Sequence, residues 1–426
     1  MTNIINFYSP RHRVTVKRVA NTYKEEDITD DVVRINTSKV YGRAYGAFTL
    51  VLTARKVVDG KTWDDIIEPD DVVLIELSKS GTAGLKAVML GLVGRLARTE
   101  EQHEDGSPKD VVLISGQDFG KLLFKNNCGW DTAKKEDLIG NEKSILLKKA
   151  GWQLGGTPAA LVKKMLELFF FGQLGSWVNE YVLADELSSP DEWQKLDLEI
   201  TARTGNTWSA LKSAENPPYN TLYTYTGEDK KFHIGIEKTP YNNKTGKLER
   251  NRFYAFSDED IIDKNVGKTD GERYNYIFYD TSLGIQLGPN ETYMLFVKGP
   301  AVRYDEDSIE RHGYIPFLPS TIFSPFGSEE IKNTNISDAG NKPSAIEKVT
   351  ERTTALWNWV KDNHTYKNGD FLLHGDPDIK EGMGCLHEES NFEYFVEQVD
   401  HVYVVTESGN NYTAKLGVTR GMDHGK

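Results

Sequence analysis

The sequence predicts an α+β protein built mainly of antiparallel β-strands, with helical and mixed segments set between β-domains. Three observations predict it. Apolar residues alternate with period two through RVTVKRV, VVRIN and AFTLVLTA, and again towards the C-terminus. Clusters of Gly, Pro, Asp and Asn punctuate these runs at short intervals. Clear helical spacing follows only Thr157-Pro158 and Ser344.

Taken in order, the first strands lead to IIEPDDVVLIEL, where Pro69-Asp70-Asp71 is a turn feeding a strand. AVMLGLVGRLAR runs apolar and becomes polar, TEEQHEDGSPKD supplies a hairpin loop, and VVLISG returns. DFGKLLF is a short amphipathic piece. Thr157 is an N-cap with Pro158 at the first helical position. Leu161, Met165, Leu168 and Phe169 follow at helical spacing, and Gly172 can stop the helix; such a stripe belongs to a core rather than to a cofactor. The chain is extended again from Leu211 to Tyr241, with Pro217-Pro218 as a boundary. YNNKTGKLERNR is a polar loop, and FSDEDIIDKNVGKTDGERYNYIFYD joins a turn to a strand. Ser344 to Glu347 is a capping-box pattern opening a second helix, with Ile346, Val349, Thr353, Trp357 and Val360 on one face. That helix ends before Gly369, and the remainder is β. The changes of pattern give four regions. They are 1–130, a first β-domain; 131–215, helical and mixed; 216–245 with 345–426, a second, discontinuous β-domain; and 246–344, an inserted mixed domain.

At 426 residues the chain exceeds one ordinary domain, and with 38% apolar residues it can bury more than one core. A net charge of −13 with no Lys/Arg block argues against a basic nucleic-acid surface. The N-terminal MTNIINFYSPRHRVTV lacks the apolar region of a signal peptide, and LELFFFGQLGSWV is too short to span a membrane. Cys128 and Cys385 form no disulfide framework, and Cys128 has no CxxC partner for zinc.

HGDPDIKEGMGCLH (374–387) is the densest candidate for a metal or acid site. A calcium loop starting at Asp376 places Asp378 well, but Lys380, Glu381 and His387 stand where an oxygen donor, Gly and Glu belong. Cys385, His387 and His374 could supply three zinc ligands, yet a cysteine on an apolar strand is ordinarily core. Asp258-Glu259-Asp260 and Glu388-Glu389 have the residue types of glycosidase acids, and a solvated acidic face explains them better. His233 alternates outward on a strand with no acid–base partner in sequence. GxSxG, HExxH, Walker A and GxGxxG are missing. We assign no catalytic, cofactor-binding or metal residue from sequence.

The late β-region echoes the early one. IIEPDDVVLIEL aligns with DIKEGMGCLHEE, setting Ile67 against Ile379, Pro69-Asp70 against Glu381-Gly382 and Leu74 against Leu386. VMLGLVGRLAR aligns with YFVEQVDHVYV, Val93 over Val399, and VVLISG with LGVTRG. Several strings in order (AVMLGLVGRLAR, DVVLISGQDFGKLL, PPYNTLYTYTG with FHIGIEKTPY, FSDEDIIDKNVGKTDGERYNY, and LWNWVKDNHTYKNGDFLLHGDPDIKEGMG through YFVEQVDHVYVVTESGNNYTAKLGVTRG) resemble the baseplate hub proteins of contractile phage tails and related injection systems. Where that family commonly has a Gly-Asp pair, Glu381-Gly382-Met383 stands here.

The resemblance implies two tube-like β-barrel or sandwich domains per chain and a homotrimer whose six units adapt a hexameric tail tube to a trimeric central spike. It implies a structural rather than enzymatic role, without a cofactor. The implied partners are the chain itself, tail tube and spike proteins, other wedge proteins of the baseplate, and tape-measure proteins. It implies neither sequence-specific nucleic-acid binding nor stable membrane insertion. The expected location is the virion, after assembly in the host cytoplasm. Alternative readings are a tail-tip peptidoglycan hydrolase and a glycan-binding adhesin.

Overall fold

The computed structural model describes residues 8–19, 24–57, 60–102, 108–126, 152–172, 174, 177–185, 196–200, 205–215, 219–242, 244–250, 253–278, 302–318, 345–407 and 409–424. Cys128, Pro217-Pro218 and the Ser344 cap fall outside these residues.

The N-terminal β-unit holds β1 (Arg11–Arg18), β2 (Lys24–Asp27), β3 (Val32–Val40), β4 (Ala47–Thr53), β5 (Val72–Ser78), β6 (Lys86–Gln102) and β7 (Pro108–Asp118). A short helix, Gly120–Lys125, follows at the amphipathic DFGKLLF. The middle region adds β8 (Trp152–Gly156), β9 (Val182–Ala184), β10 (Leu196–Ile200), β11 (Asn220–Thr226) and β12 (Phe232–Lys238). Next come β13 (Phe253–Phe256), β14 (Ile261–Gly267), β15 (Tyr276–Phe278), β16 (Val302–Tyr304) and β17 (Pro316–Phe317). The chain ends with β18 (Lys367–His374), β19 (Gly384–His387), β20 (Phe392–Thr406) and β21 (Gly409–Asp423). The architecture is α+β and mainly antiparallel, as the alternation predicts.

Thirteen strands join in one sheet, whose main path runs β14-β18-β21-β20-β3-β4-β7-β6-β5-β1-β2, with β19 and β13 branching from β20. Two segments pair otherwise than expected. β11 and β12, placed in the second β-domain, form a separate three-stranded sheet with β9. Their inward-facing Leu222, Phe232, Ile234 and Ile236 pack in one core with Phe119, Leu161, Met165 and Phe169, which draws them to the helical region. β13 and β14, placed in the inserted domain, belong to the large sheet, because β13 pairs with β19 and β14 with β18.

Both expected helices form. Thr157 accepts a hydrogen bond from the Ala160 amide (3.3 Å) and starts the helix Pro158–Met165, which continues as a π-turn to Phe171. The second runs Ala345–Val360, with Thr353 and Val360 buried. No helix among the described residues is long and apolar enough to cross a membrane.

Two further cores lie under the large sheet. Val14, Ile35, Leu50, Trp63, Val73, Ile75, Val93 and Ile114 fill the N-terminal β-unit. Phe256, Phe371, Ile379, Cys385, Val396, Leu416 and Val418 fill the C-terminal unit of β13, β14 and β18–β21.

Candidate functional site

Five strands of one β-unit repeat five of the other. β5-β6-β7-β4-β3 in the first corresponds to β19-β20-β21-β18-β14 in the second, every neighbouring pair antiparallel. Irregularities repeat too. β3 carries a bulge between Val32 and Arg34, and β14 carries one between Ile261 and Asp263. Each of these strands follows a single 3₁₀ turn, Thr29–Asp31 or Asp258–Asp260. Sequence comparison missed this match, although TDDVVR and DEDIID share their acidic turn and β-branched pair.

The turn before β5 is duplicated in its hydrogen bonds. The Asp70 amide donates to the Val93 carbonyl (2.8 Å), and the Val93 amide donates to that of Asp71 (2.9 Å). In the second unit the Gly382 amide donates to Val396 (2.8 Å), and Val396 donates to Met383 (2.9 Å). Asp70 and Gly382 both have left-handed backbones, φ 70° and 82°. The structural partner of Val93 is therefore Val396, three residues before the Val399 of the sequence alignment. The bulges agree, since β6 shifts register between Val93 and Arg95 and β20 between Val396 and Gln398.

This correspondence exposes one joined edge and two open ones. Beyond its contact with β19, β20 continues along β3, from Gln398 opposite Val40 to Val404 opposite Arg34. The same edge of β6, Arg95 to Glu101, pairs with no strand among the described residues, nor does the outer edge of β14. The tip of the β20–β21 hairpin also enters the first unit's core. Tyr403 and Tyr412 are fully buried there, and the Tyr403 hydroxyl donates to the Pro10 carbonyl (2.9 Å). On the seam, burial pushes the imidazole of His401 down to about 4, where its Nδ1 lies 2.9 Å from the Tyr412 hydroxyl.

HGDPDIKEGMGCLH ties the units together. Buried Asp376 takes the Lys79 ammonium at 2.6 Å and the Tyr254 hydroxyl at 3.2 Å. The hydrogen bond to Asp376 holds the Lys79 pKa above its usual value. Lys86, at the start of β6, pairs with Asp378. Ile379 and Cys385 are core, and burial drives the Cys385 thiol far upward, leaving it an inert thiol. His374 ends β18 with its ring 5.1 Å from Tyr8. The structure does not bring His374, Cys385 and His387 together as ligands.

His387 joins other residues instead. Its Nε2 lies 2.8 Å from Asp258 Oδ1 and 3.4 Å from Glu389 Oε2, while Nδ1 lies 2.6 Å from Ser390 Oγ. His233 has the partners its sequence lacked: Asp185 at 2.6 Å from Nδ1 and Asp229 at 2.9 Å from Nε2. The bond to Asp185, aided by Asp229, raises the His233 pKa against the effect of burial. Both its nitrogens thus face carboxylates, half-buried Asp185 and exposed Asp229. Of the acidic runs, Asp260 accepts from the Ser257 amide and hydroxyl as a cap.

A cleft of about 900 Å³ separates the β11–β12 face from the 378–383 turn, lined by Tyr41, Tyr223, His233, Glu237 and Arg250. Several of its polar groups are bonded: Glu237 accepts from Tyr41 (2.6 Å) and Arg250 (2.9 Å), and Tyr223 donates to Asp185 behind the wall (2.9 Å).

No protein-family model matches the chain, and no curated protein sequence matches it. Solved structures do. A 43 kDa tail protein of prophage MuSo2 from Shewanella oneidensis superposes with TM-score 0.52 at 12% identity, over 97% of this chain and 98% of that one. A tail protein from Neisseria meningitidis MC58 gives 0.51 at 11% identity, covering 97% of each chain. An Escherichia coli component of the type VI secretion system gives 0.41 at 7% identity, over 92% of this chain and 73% of that one. The first two establish a shared fold across nearly the whole chain.

Proposed function

We propose that the chain is a structural hub of a phage tail or phage-like injection particle, a homotrimer whose two tube-like β-units per protomer make a pseudo-sixfold ring. One face of the ring docks a hexameric tail tube, the other a trimeric central spike, and wedge and tape-measure proteins meet its periphery. Assembly takes place in the host cytoplasm and ends in the baseplate. The work is binding, without catalytic residue or cofactor. The tube-like units are 8–126 and 253–267 with 367–424; the helical and small-sheet regions clasp the spike.

The observation that carries this reading is the β3–β20 seam with its two open counterparts. One chain already joins unit to unit edge by edge, and it offers the same edges outward at β14 and at Arg95–Glu101 of β6. Copying the seam's register onto these edges sets Lys264 of one protomer opposite Glu100 of the next. It likewise sets Asn265 opposite Thr99 and Gly267 opposite Ala97. Repetition of one heterologous contact closes a ring when the rotation allows, and three chains of two units give six positions.

Sedimentation analysis tests it. A particle of three times the 48.1 kDa chain mass is expected, with a near-sixfold outline in negative stain. Lys264→Glu should weaken the trimer, and Lys264→Glu with Glu100→Lys should restore it, each pair contributing about 0.2–1 kcal/mol. A chain that stays monomeric at about 100 µM sinks the trimer, and clearing of cell wall in a zymogram would replace the hub by a tail-tip hydrolase.

A further inference from the structure

The one group of potential ligands within 4.8 Å of one another among the described residues is Asp258, His387 and Glu389. Its position follows from topology. β13 and β19 run parallel, with Phe256 opposite His387, and the chain leaves both strands on the same side. The Glu388 amide donates to the Phe256 carbonyl (3.1 Å), which holds the two exits together. Asp258 and Glu389 each lie two residues beyond that register point, so both carboxylates converge on the imidazole.

The first β-unit shows what the fold requires at these places. The counterpart of Asp258 is Thr29, that of His387 is Ile75, and that of Glu389 is Leu77; Ile75 and Leu77 are fully buried. Two of the three places thus hold buried aliphatic side chains in the first unit, where the second unit holds His387 and Glu389. The His387 side chain is only 3% exposed, its ring stacked 5.3 Å from Phe256. Ser390 Oγ fixes Nδ1 at 2.6 Å, so Nε2 is the nitrogen aimed at the two exposed carboxylates. A hydrogen bond at Nδ1 of this kind is how a metal-binding imidazole is oriented. Among the described residues no lysine or arginine pairs with Asp258 or Glu389, although Glu259, Asp260 and Glu388 add negative charge beside them.

We infer that Asp258, His387 and Glu389 form a surface site for one divalent transition cation, zinc being the best fit. One imidazole and two carboxylates suit zinc or manganese better than magnesium or calcium, which take oxygen alone. A tetrahedral site with bonds near ~2.0 Å separates its ligands by about 3.3 Å. The 3.4 Å from His387 to Glu389 already matches, and Asp258 at 2.8 Å needs to move out by about half an ångström. Asp258 is exposed and can move. Water would take the remaining position. The ion would clip the turn before β14 to the turn before β20, whether or not the trimer forms.

Zinc titration of the tag-free full chain, stripped with chelator, is the test. Wild type should take up one equivalent, with a raised melting temperature. Asp258→Asn with Glu389→Gln, both exposed, should fold alike and bind more than about tenfold more weakly. Failure of the wild type to bind overturns the site and leaves His387 donating from Nε2 to Asp258. Equal uptake by the double variant overturns it as well, since the ion is then held elsewhere. Displacement by equimolar magnesium would also count against it, because an imidazole nitrogen gives zinc the advantage.

Discussion

The two long hairpins share a fold and differ in what their tips carry. At the tip of β20–β21, Tyr403 faces Tyr412 across the strands, and both are buried in the neighbouring unit's core. At the corresponding tip of β6–β7, Glu100 faces Asp110, and both are exposed. Below them, His401 is buried while its counterpart Arg98 pairs with Asp110 at the surface (2.6 Å). In the proposed ring the difference would follow from when each tip is covered. A seam made within one chain forms as the chain folds and can be apolar throughout. An edge that meets its partner only after folding must stay soluble and resist casual pairing, for which charge is the usual device.

The sharpest way to break this comparison is to truncate both tips. Tyr403→Ala should cost about 3–5 kcal/mol, from the lost ring and the cavity it leaves. Glu100→Ala should change the stability of the single chain by no more than about 0.5 kcal/mol, since within that chain the exposed tip residue packs on nothing. Denaturant unfolding of the two variants measures the contrast. Equal losses would mean that the β6–β7 tip is packed within its own chain as deeply as the β20–β21 tip.

A second contrast lies in pH. His401 has a folded pKa of about 4 against about 6.5 unfolded, so folding excludes its proton. Its contribution is complete above pH 6.5 and is lost as pH falls towards 4, at most about 3 kcal/mol. Lys380 adds to the depression and Asp376 opposes it, but burial is the main cause. Arg98, at the equivalent place, stays charged throughout. Melting temperature should therefore fall through this window in the wild type, and less steeply in His401→Gln. Identical slopes would show that the seam imidazole is open to water.

Part of this was legible in the sequence. The pairing of Pro69-Asp70 with Glu381-Gly382 holds because a left-handed turn residue favours Gly, Asp or Asn, and both turns carry one there. Alternation identified the strands, and the caps at Thr157 and before Ala345 identified the helices. The alignment of β6 with β20 slipped by three residues because Leu90, Leu92 and Val93 are buried on both faces, so period two carried no register. β14 reads as part of an insert because its alternation is weak: most of it is exposed. The cation site was half visible. His387 stood in the suspected loop, but Asp258 is brought to it only by the parallel β13–β19 pairing, which no local pattern announces.

The smallest effect should come from the duplicated turn, where the same backbone carries different residues. At Gly382 the φ of 82° is easy for glycine, and an added Cβ would lie 2.6 Å from the Tyr41 ring. Gly382→Ala therefore meets both an unfavourable backbone and a rigid neighbour, and should cost about 1–3 kcal/mol. Asp70 tolerates its φ of 70°, and its carboxylate reaches Lys121 at 3.2 Å on an exposed surface. Asp70→Gly loses that weak ion pair and relieves the backbone, while giving the unfolded chain more freedom. These terms nearly cancel, so its stability should stay within about 0.5 kcal/mol of wild type. Chemical denaturation of both variants decides the matter. A loss of several kcal/mol at Asp70 with none at Gly382 would mean that the two turns only look alike, and that their shared bonds to Val93 and Val396 do different work.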